Sequence, residues 1–405
     1  MRIFFVTTEY IDCDSLKVID GGLANYLYRI TRVLAQMGHN VNVLVRSTVD
    51  KKINFNGINV EFLNRDTKFK KTFFEKLIWC FLRGKQRRKI KEEYFRKRIV
   101  SNKLKAENKK KKIDIIQYAS CLGIGQFPLK NVPSCLRLSS WAKVHQFCYG
   151  VHNENEIDFE TKQIHNSKFI FGPSAHIAKI LKKDLNLKKD IEIIESPYLD
   201  ETFEFNYSVA DEINVKTGGK PYLLFFGSIG KLKGCKEIAE CIYDVLEKYP
   251  DLYFVLIGKN IDTEGVNYLE LIKTSARQYV DRVLHFKAQP HDILYPVIEK
   301  SYGVVLPSRT ENFANTCVEA MRFQKIVIGT EENFSQLIDD GKNGLLAQAA
   351  NSSSLFKKIS ELMDMDKEKK TSMEEAAFKT TERLNPKTIA QKLLNYYEFV
   401  IKNWK

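Results

Sequence analysis

The chain has 405 residues, 44% hydrophobic and 28% charged, ordinary for a soluble globular protein of two or three domains. With 20 Gly and 10 Pro it is neither collagen-like nor low-complexity, and no apolar run approaches the roughly 18 residues of a membrane span. The net charge of +14 is uneven: Lys68–Lys112 holds 19 Lys/Arg against 4 Asp/Glu, a net +15, leaving −1 for the other 360 residues. The apolar run Ile3–Val6 is too short for a signal-peptide core, so an uncleaved cytosolic start is expected. Eight Cys, at 13, 80, 121, 135, 148, 235, 241 and 317, form no CxxC pair, and the seven His form no HExxH. Reduced, mostly buried thiols and no protein-held metal are expected.

In chain order, Ile3–Thr7 predicts a buried strand. Leu23, Tyr26, Leu27, Ile30, Val33, Leu34 and Met37 then recur at helical spacing behind Gly21-Gly22, and Gly38 stands where a C-cap glycine belongs. Val41–Val45 completes a βαβ unit, hence a parallel sheet. Asn56-Gly57, between Ile53–Phe55 and Ile58–Phe62, predicts a hairpin. After the basic stretch come strands at Ile113–Tyr118, Cys135–Leu138, Lys168–Phe171 and Ile191–Ile194, and a helix Ala175–Leu187 capped by Ser174. Residues 201–220 lack clear periodicity and are expected to be a linker. A second alternation follows, with strands at Tyr222–Phe226, Leu252–Ile257, Val283–Phe286, Gly303–Leu306 and Lys325–Ile328. Helical patterns at Glu237–Lys248 and Asn315–Phe323 lie between them. The expectation is an α/β protein of two doubly wound, Rossmann-like domains, 1–200 and 221–385, with a C-terminal helix 386–405 and a basic insert 68–112.

The sharpest chemical feature is Pro307–Met321, where a strand ends, a turn follows and a helix starts near Asn312. That places a helix N-terminus at the carboxyl edge of a parallel sheet, where amides and macrodipole favour a diphosphate. Glu311 and Glu319 are eight residues apart, about 12 Å along a helix. One carboxylate at that spacing would take sugar hydroxyls and the other ribose hydroxyls. The alternative is a solvent-facing Glu319 and a Glu311 that merely favours a helix start. A second feature, Gly227–Gly234, follows a strand and opens a helix, with Lys231 and Lys233 as cations for phosphate. Gly21-Gly22 is a tight turn or a close backbone approach to a ligand. Asp12-Cys13-Asp14 has the form of a DxD metal motif but lies in the first loop and is taken as loop acids.

Together these motifs resemble a retaining glycosyltransferase of the GT-B architecture, sequence family 4 (glycosyl transferases group 1), over nearly the whole chain. Gly21-Gly22 with its helix and Gly38-His39, then Gly227 with Lys233-Gly234, then Glu311 and Glu319, then Asp340–Leu346, occur in the family's order. The resemblance implies two domains facing across a cleft and a nucleoside-diphosphate sugar donor used without a metal or cofactor. It implies that Glu311 and Lys233 are catalytic, Glu311 on the donor sugar and Lys233 neutralising the leaving diphosphate. Donor contacts fall to Gly22, Gly227, Lys231, the amides of Phe313 and Ala314, Asn315, and Glu319 on the ribose. Ser139 and Ser140 stand on the acceptor or sugar side. Four positions depart from the family: Ser228 for Arg, Ala314 for Gly, Ser139-Ser140 where a His is common, and Gln336 for an acid. The first and third bear on donor choice, and all four together also fit a weakened or inactive enzyme.

The basic insert mixes cations with Phe73, Phe74, Trp79, Phe81 and Phe95, a composition suited to an anionic membrane interface. Trp79, Arg87, Arg88, Lys89 and Lys91 are the expected membrane contacts. A solvated helix with inward aromatics and a nucleic-acid surface are the alternatives, nucleic acid the less favoured. The reading is a cytoplasmic transferase, peripheral on the inner face of the plasma membrane. It moves a hexose-type sugar to a saccharide or lipid-linked saccharide, in cell-surface polysaccharide or glycolipid synthesis. Its rivals are a GT-B nucleotide-sugar epimerase and a non-catalytic membrane-surface or nucleic-acid binding protein.

Overall fold

The computed structural model describes residues 1–19, 21–66, 84–139, 141–149, 153–199, 202–261 and 265–405. These form two compact units. One holds Met1–Gln146, His152–Pro197 and Pro386–Lys405, the other Phe147–Val151 and Tyr198–Asn385.

The strands of the first unit are β1 (Arg2–Thr7), β2 (Asn40–Ser47), β3 (Lys51–Phe55), β4 (Ile58–Asn64), β5 (Ile115–Ala119), β6 (Ser134–Arg137), β7 (Ile170–Gly172) and β8 (Ile191–Ile193). They lie in the order β3-β4-β2-β1-β5-β6-β7-β8. Every pairing is parallel except β3 with β4, where Phe55 faces Ile58 and Asn56 and Gly57 turn the chain at positive φ. The helix Gly22–Gln36 buries Leu23, Tyr26, Leu27, Ile30, Val33 and Leu34, the apolar face its spacing predicts.

The second unit contains β9 (Tyr222–Phe226), β10 (Tyr253–Ile257), β11 (Val283–Phe286), β12 (Gly303–Val305), β13 (Val327–Thr330) and β14 (Leu345–Ala347). Their order is β11-β10-β9-β12-β13-β14, all parallel. Its core joins Leu223, Phe225, Phe254, Leu256, Val305 and Ile328 to the helix Cys235–Lys248. Two α/β units with parallel sheets are the expected fold class. In both sheets the order reverses beside the first strand of the unit, where β1 and β9 each lie between strands reached in opposite directions. Such switch points leave a crevice at the carboxyl ends of the strands.

Three features differ from the sequence reading. The stretch expected as a linker carries a helix, Ser208–Thr217, ended by Gly218 in the left-handed region. Its buried side, Ala210, Ile213 and Thr217, is too small and polar to mark a helical period. The edge strand β14 was not expected, because three residues show no period. The C-terminal helix Pro386–Lys402 packs in the first unit, where the Tyr397 hydroxyl donates to Gln117 Oε1 at 2.6 Å.

The described part of the basic insert is helical: Gly84–Tyr94, a π-helical turn Phe95–Val100, and Ser101–Lys110. Phe95, Val100 and Leu104 are buried. Arg96 is buried with them, its guanidinium 3.7 Å from the Phe159 ring centre, and donates to Leu122 O at 2.6 Å. Among the described residues no helix is long and apolar enough to cross a membrane.

Candidate functional site

At the carboxyl end of β12, the segment 307–311 is fixed by groups at the end of β13 and just after it. Thr330 Oγ1 donates to Ser308 O at 2.7 Å. The Asn333 amide donates to Ser308 O and Arg309 O, both at 3.3 Å, and its Oδ1 accepts from Glu311 N at 3.2 Å. Glu311 is thereby aimed so that Oε1 accepts from Ser308 Oγ at 2.8 Å and Lys233 Nζ at 2.5 Å.

Lys233 reaches that point because its loop packs closely on the other. Lys231–Lys233 form a 3-10 turn between β9 and the helix Cys235–Lys248. Gly234 has φ +74°, and a Cβ there would lie 1.9 Å from Pro307 O, so only glycine lets the loops touch. Arg309 N donates to Leu232 O at 2.8 Å, and the Arg309 guanidinium pairs with the buried Glu237 carboxylate. Gly227 and Ser228 follow β9 half-buried, and Gly230 N donates to Cys235 Sγ. Burial pushes the Cys235 thiol up to about 12, so it stays protonated and is a packing group rather than a nucleophile.

The helix after Glu311 is Asn315–Arg322, beginning where the helical pattern Asn315–Phe323 starts and three residues after the junction read near Asn312. Ala314 is its N-cap, buried and non-helical, while Phe313 and Asn315 are half-buried. Residues 311–314 are therefore irregular, and the two glutamates are not separated by two helical turns. Glu319 sits on the fifth residue of this helix, 9% exposed, among buried Cys317, Val318, Ala320 and Met321. This excludes the solvent-facing alternative. Its Oε1 lies 3.8 Å from His291 Nε2.

In the first unit, Gly22 is the exposed first residue of its helix. Ser139 follows β6, its N–H donating to Ser120 Oγ at 2.9 Å. Nearby Arg137 is buried 3.5 Å over the Tyr26 ring and donates to Ser196 Oγ. Ser140 and Trp79 lie outside the described residues, as do the side chains of Arg87 and Arg88. Lys91 is exposed, whereas Lys89 is engaged with Asp158 at 3.3 Å. Asp12 Oδ1 accepts from Asp14 N, Ser15 N and Ser15 Oγ, so this acid organises its own loop. The tail motif is also structural: Asp340 accepts from Leu346 N and pairs with Lys358, and Asn343 donates to Leu337 O. Gln336 contributes its carbonyl to Arg383. The sequence reading missed Ser308, Thr330, Asn333 and His291. The only local signal was a polar run, Glu331-Glu332-Asn333, directly after an apolar strand.

Residues 208–380 match the family model described as glycosyl transferases group 1. An uncharacterized glycosyltransferase of Methanocaldococcus jannaschii is 32% identical over 170 residues, 40% of this chain and 44% of that protein. A Campylobacter jejuni protein named N,N'-diacetylbacillosaminyl-diphospho-undecaprenol alpha-1,3-N-acetylgalactosaminyltransferase is 27% identical over 228 residues, 56% of this chain and 55% of that protein. The chain thus spans about half the length of the curated relatives it matches. Among solved structures, sucrose-phosphate synthase from Thermosynechococcus elongatus is similar with TM-score 0.76 at 15% identity, over 99% of this chain and 100% of that one. At that identity the likeness establishes the fold, which is GT-B.

Proposed function

We propose that this chain, whose residues 208–380 match the model of glycosyl transferases group 1, moves a hexose-type sugar from a nucleoside-diphosphate donor to a saccharide or lipid-linked saccharide, with retention of the anomeric configuration. The observation that carries this reading is the Lys233–Glu311 pair, 2.5 Å apart, beside the opening of the helix Asn315–Arg322. A cation, a carboxylate and a helix N-terminus at one strand edge suit a sugar diphosphate: ammonium and amides take phosphate oxygens, the carboxylate takes sugar hydroxyls.

In this proposal Lys233, assisted by Lys231 and the amides of Phe313 and Ala314, neutralises charge as the diphosphate departs. That charge is greatest in the transition state, so these contacts accelerate the reaction rather than merely tighten binding. Glu311 holds the sugar, Asn315 stands beside the phosphates, and Glu319 accepts from the ribose hydroxyls. The departing phosphate oxygen takes the acceptor's proton, and no side chain is assigned as general base. Two lysines and the amides supply the positive charge, so no metal or organic cofactor is invoked. In this reading Gly22 contacts the donor, and Ser139 and Ser140 stand on the acceptor or sugar side. The relative from Campylobacter jejuni is named for a diphospho-undecaprenol-linked sugar, which supports a lipid-linked acceptor at the cytoplasmic membrane face and a role in polysaccharide or glycolipid synthesis.

The test is a thermal-shift panel of UDP, GDP, ADP and their sugars. A ligand at 100 times its Kd stabilises the folded chain by about 2.7 kcal/mol. One nucleotide series should raise Tm clearly, and no shift with any of them overturns the reading. Donor conversion without acceptor would instead identify an epimerase.

A further inference from the structure

We propose that His291 completes the nucleoside side of the donor site, as a positioning residue that holds the Glu319 carboxylate toward the ribose hydroxyls of a bound nucleoside diphosphate. This rests on the reading of Glu319 as the ribose carboxylate.

His291 opens the helix His291–Lys300, which follows β11 by way of Pro290, its N-cap. Pro290, with its ring-fixed φ of −66°, sets the entry of the chain into the helix. The imidazole is bracketed by rings. Tyr295, one turn along the same helix, lies 5.0 Å from it between ring centres, and Phe203 lies 6.0 Å away. Tyr295 in turn meets Phe323, at the end of the helix that carries Glu319, at 5.0 Å. The aromatic bracket thus ties the His291 helix to the Glu319 helix and leaves Nε2 facing Glu319 Oε1 at 3.8 Å.

That distance is within ion-pairing reach but longer than the about 2.7–3.2 Å of a direct hydrogen bond. Contacts in binding sites commonly tighten when ligand arrives. A carboxylate about nine-tenths buried is costly unless polar groups face it. It also recognises a diol well only when its plane is held, because two hydroxyls must meet two oxygens at once. An N–H donor on one oxygen supplies that hold and leaves lone pairs on both for the ribose.

The inference is tested by isothermal titration of the full chain with whichever of UDP, GDP or ADP binds, and with its 2′-deoxy counterpart. In the wild type, loss of the hydroxyl should weaken binding about tenfold, the scale of one charge-assisted hydrogen bond. Two variants separate position from packing. The side-chain amide of Gln falls near the place of imidazole Nε2, whereas that of Asn falls near Nδ1. His291→Gln should keep most of the tenfold ratio, and His291→Asn should reduce it below about threefold with the 2′-deoxy Kd little changed. Equal ratios for the two variants, whether both kept or both lost, overturn the role of His291. Glu319→Gln is the control for the underlying reading. If it leaves the wild-type ratio intact, Glu319 is not the ribose carboxylate. If it abolishes the ratio while both His291 variants keep it, only the His291 inference fails.

Discussion

Lys233 and Glu311 are 78 residues apart in sequence, and their contact depends on one missing methyl group at Gly234 and one amide at Asn333. Each could be picked out as a candidate from its own motif, because a lysine after a strand-to-helix glycine turn and a glutamate before a helix start each have a local signature. Asn333 has no more than a polar run after a strand: its value lies in the four hydrogen bonds its side chain makes after the chain has folded. Glu311→Ala should abolish sugar transfer while leaving the melting transition near that of the wild type, because the side chain makes two polar contacts and does not belong to the buried apolar core. Transfer at the wild-type rate by the folded variant would remove Glu311 from the site. Lys233→Ala should raise the barrier by about 2–4 kcal/mol, by analogy with single oxyanion donors. Steady-state kinetics should show that loss in kcat/KM. An unchanged kcat/KM would transfer the role to Lys231.

The basic insert divides, at the scale of the element, into inward and outward cations. Arg96 is spent on Phe159 and Leu122 O, Lys89 on Asp158, and Lys103 on Glu61 and Glu107. Lys91, Arg98, Lys105 and Lys109 remain exposed along the helical run, and Lys112 just beyond its end. Exposed cations of this kind act on an anionic lipid surface over about 8 Å at physiological salt, with about 1 kcal/mol for each cation near the surface. Sedimentation should therefore show binding to anionic liposomes, little to neutral ones, and partial release at high salt. Replacing Lys91, Arg98, Lys105 and Lys109 with Gln should weaken it, and equal binding by that variant would return the insert to a solvated helix. A second element-level prediction concerns Glu160, which accepts from Leu122 N at 3.0 Å and Ala142 N at 2.8 Å. Burial pushes its carboxyl from 4.5 up to about 8, against the opposing pull of those two amides. The folded chain thus favours the protonated acid. Its contribution is complete below about pH 4.5 and is lost as pH rises through about 8. Glu160→Gln, neutral throughout, should flatten the fall of Tm across that window, and an unaltered slope would show that Glu160 does not set it.

On the scale of the whole molecule, the chain leaves its first unit at Pro197 and re-enters it at Pro386. The returning helix buries Ile389, Leu393, Leu394, Tyr397 and Val400. Burying an apolar side chain of this size stabilises by about 1.5–3 kcal/mol, so the first unit depends on the last residues of the chain. A chain ending at Asn385 should lose much of that stability. Limited proteolysis should then cut within 1–197 at temperatures where the full chain resists, and a protection pattern equal to that of the full chain would show the helix to be dispensable.

What the sequence by itself determined is the part of this protein encoded at short range. Apolar runs and helical spacing specified two successive α/β units, Asn56-Gly57 specified the hairpin, and strand-turn-helix junctions marked Lys233, Glu311 and Glu319. The tertiary structure alone decided that the residues leading into the helix, 311–314, are irregular. It decided that the final helix serves the first unit, and that a faintly patterned stretch at 208–217 folds. It also decided which cations of the insert face outward. The physical reason is common to these cases. A helix whose buried side is small, a three-residue edge strand, or a single Asn or His acting on a distant carboxylate leaves no periodic trace. Such features acquire their energies only from neighbours brought in by the fold.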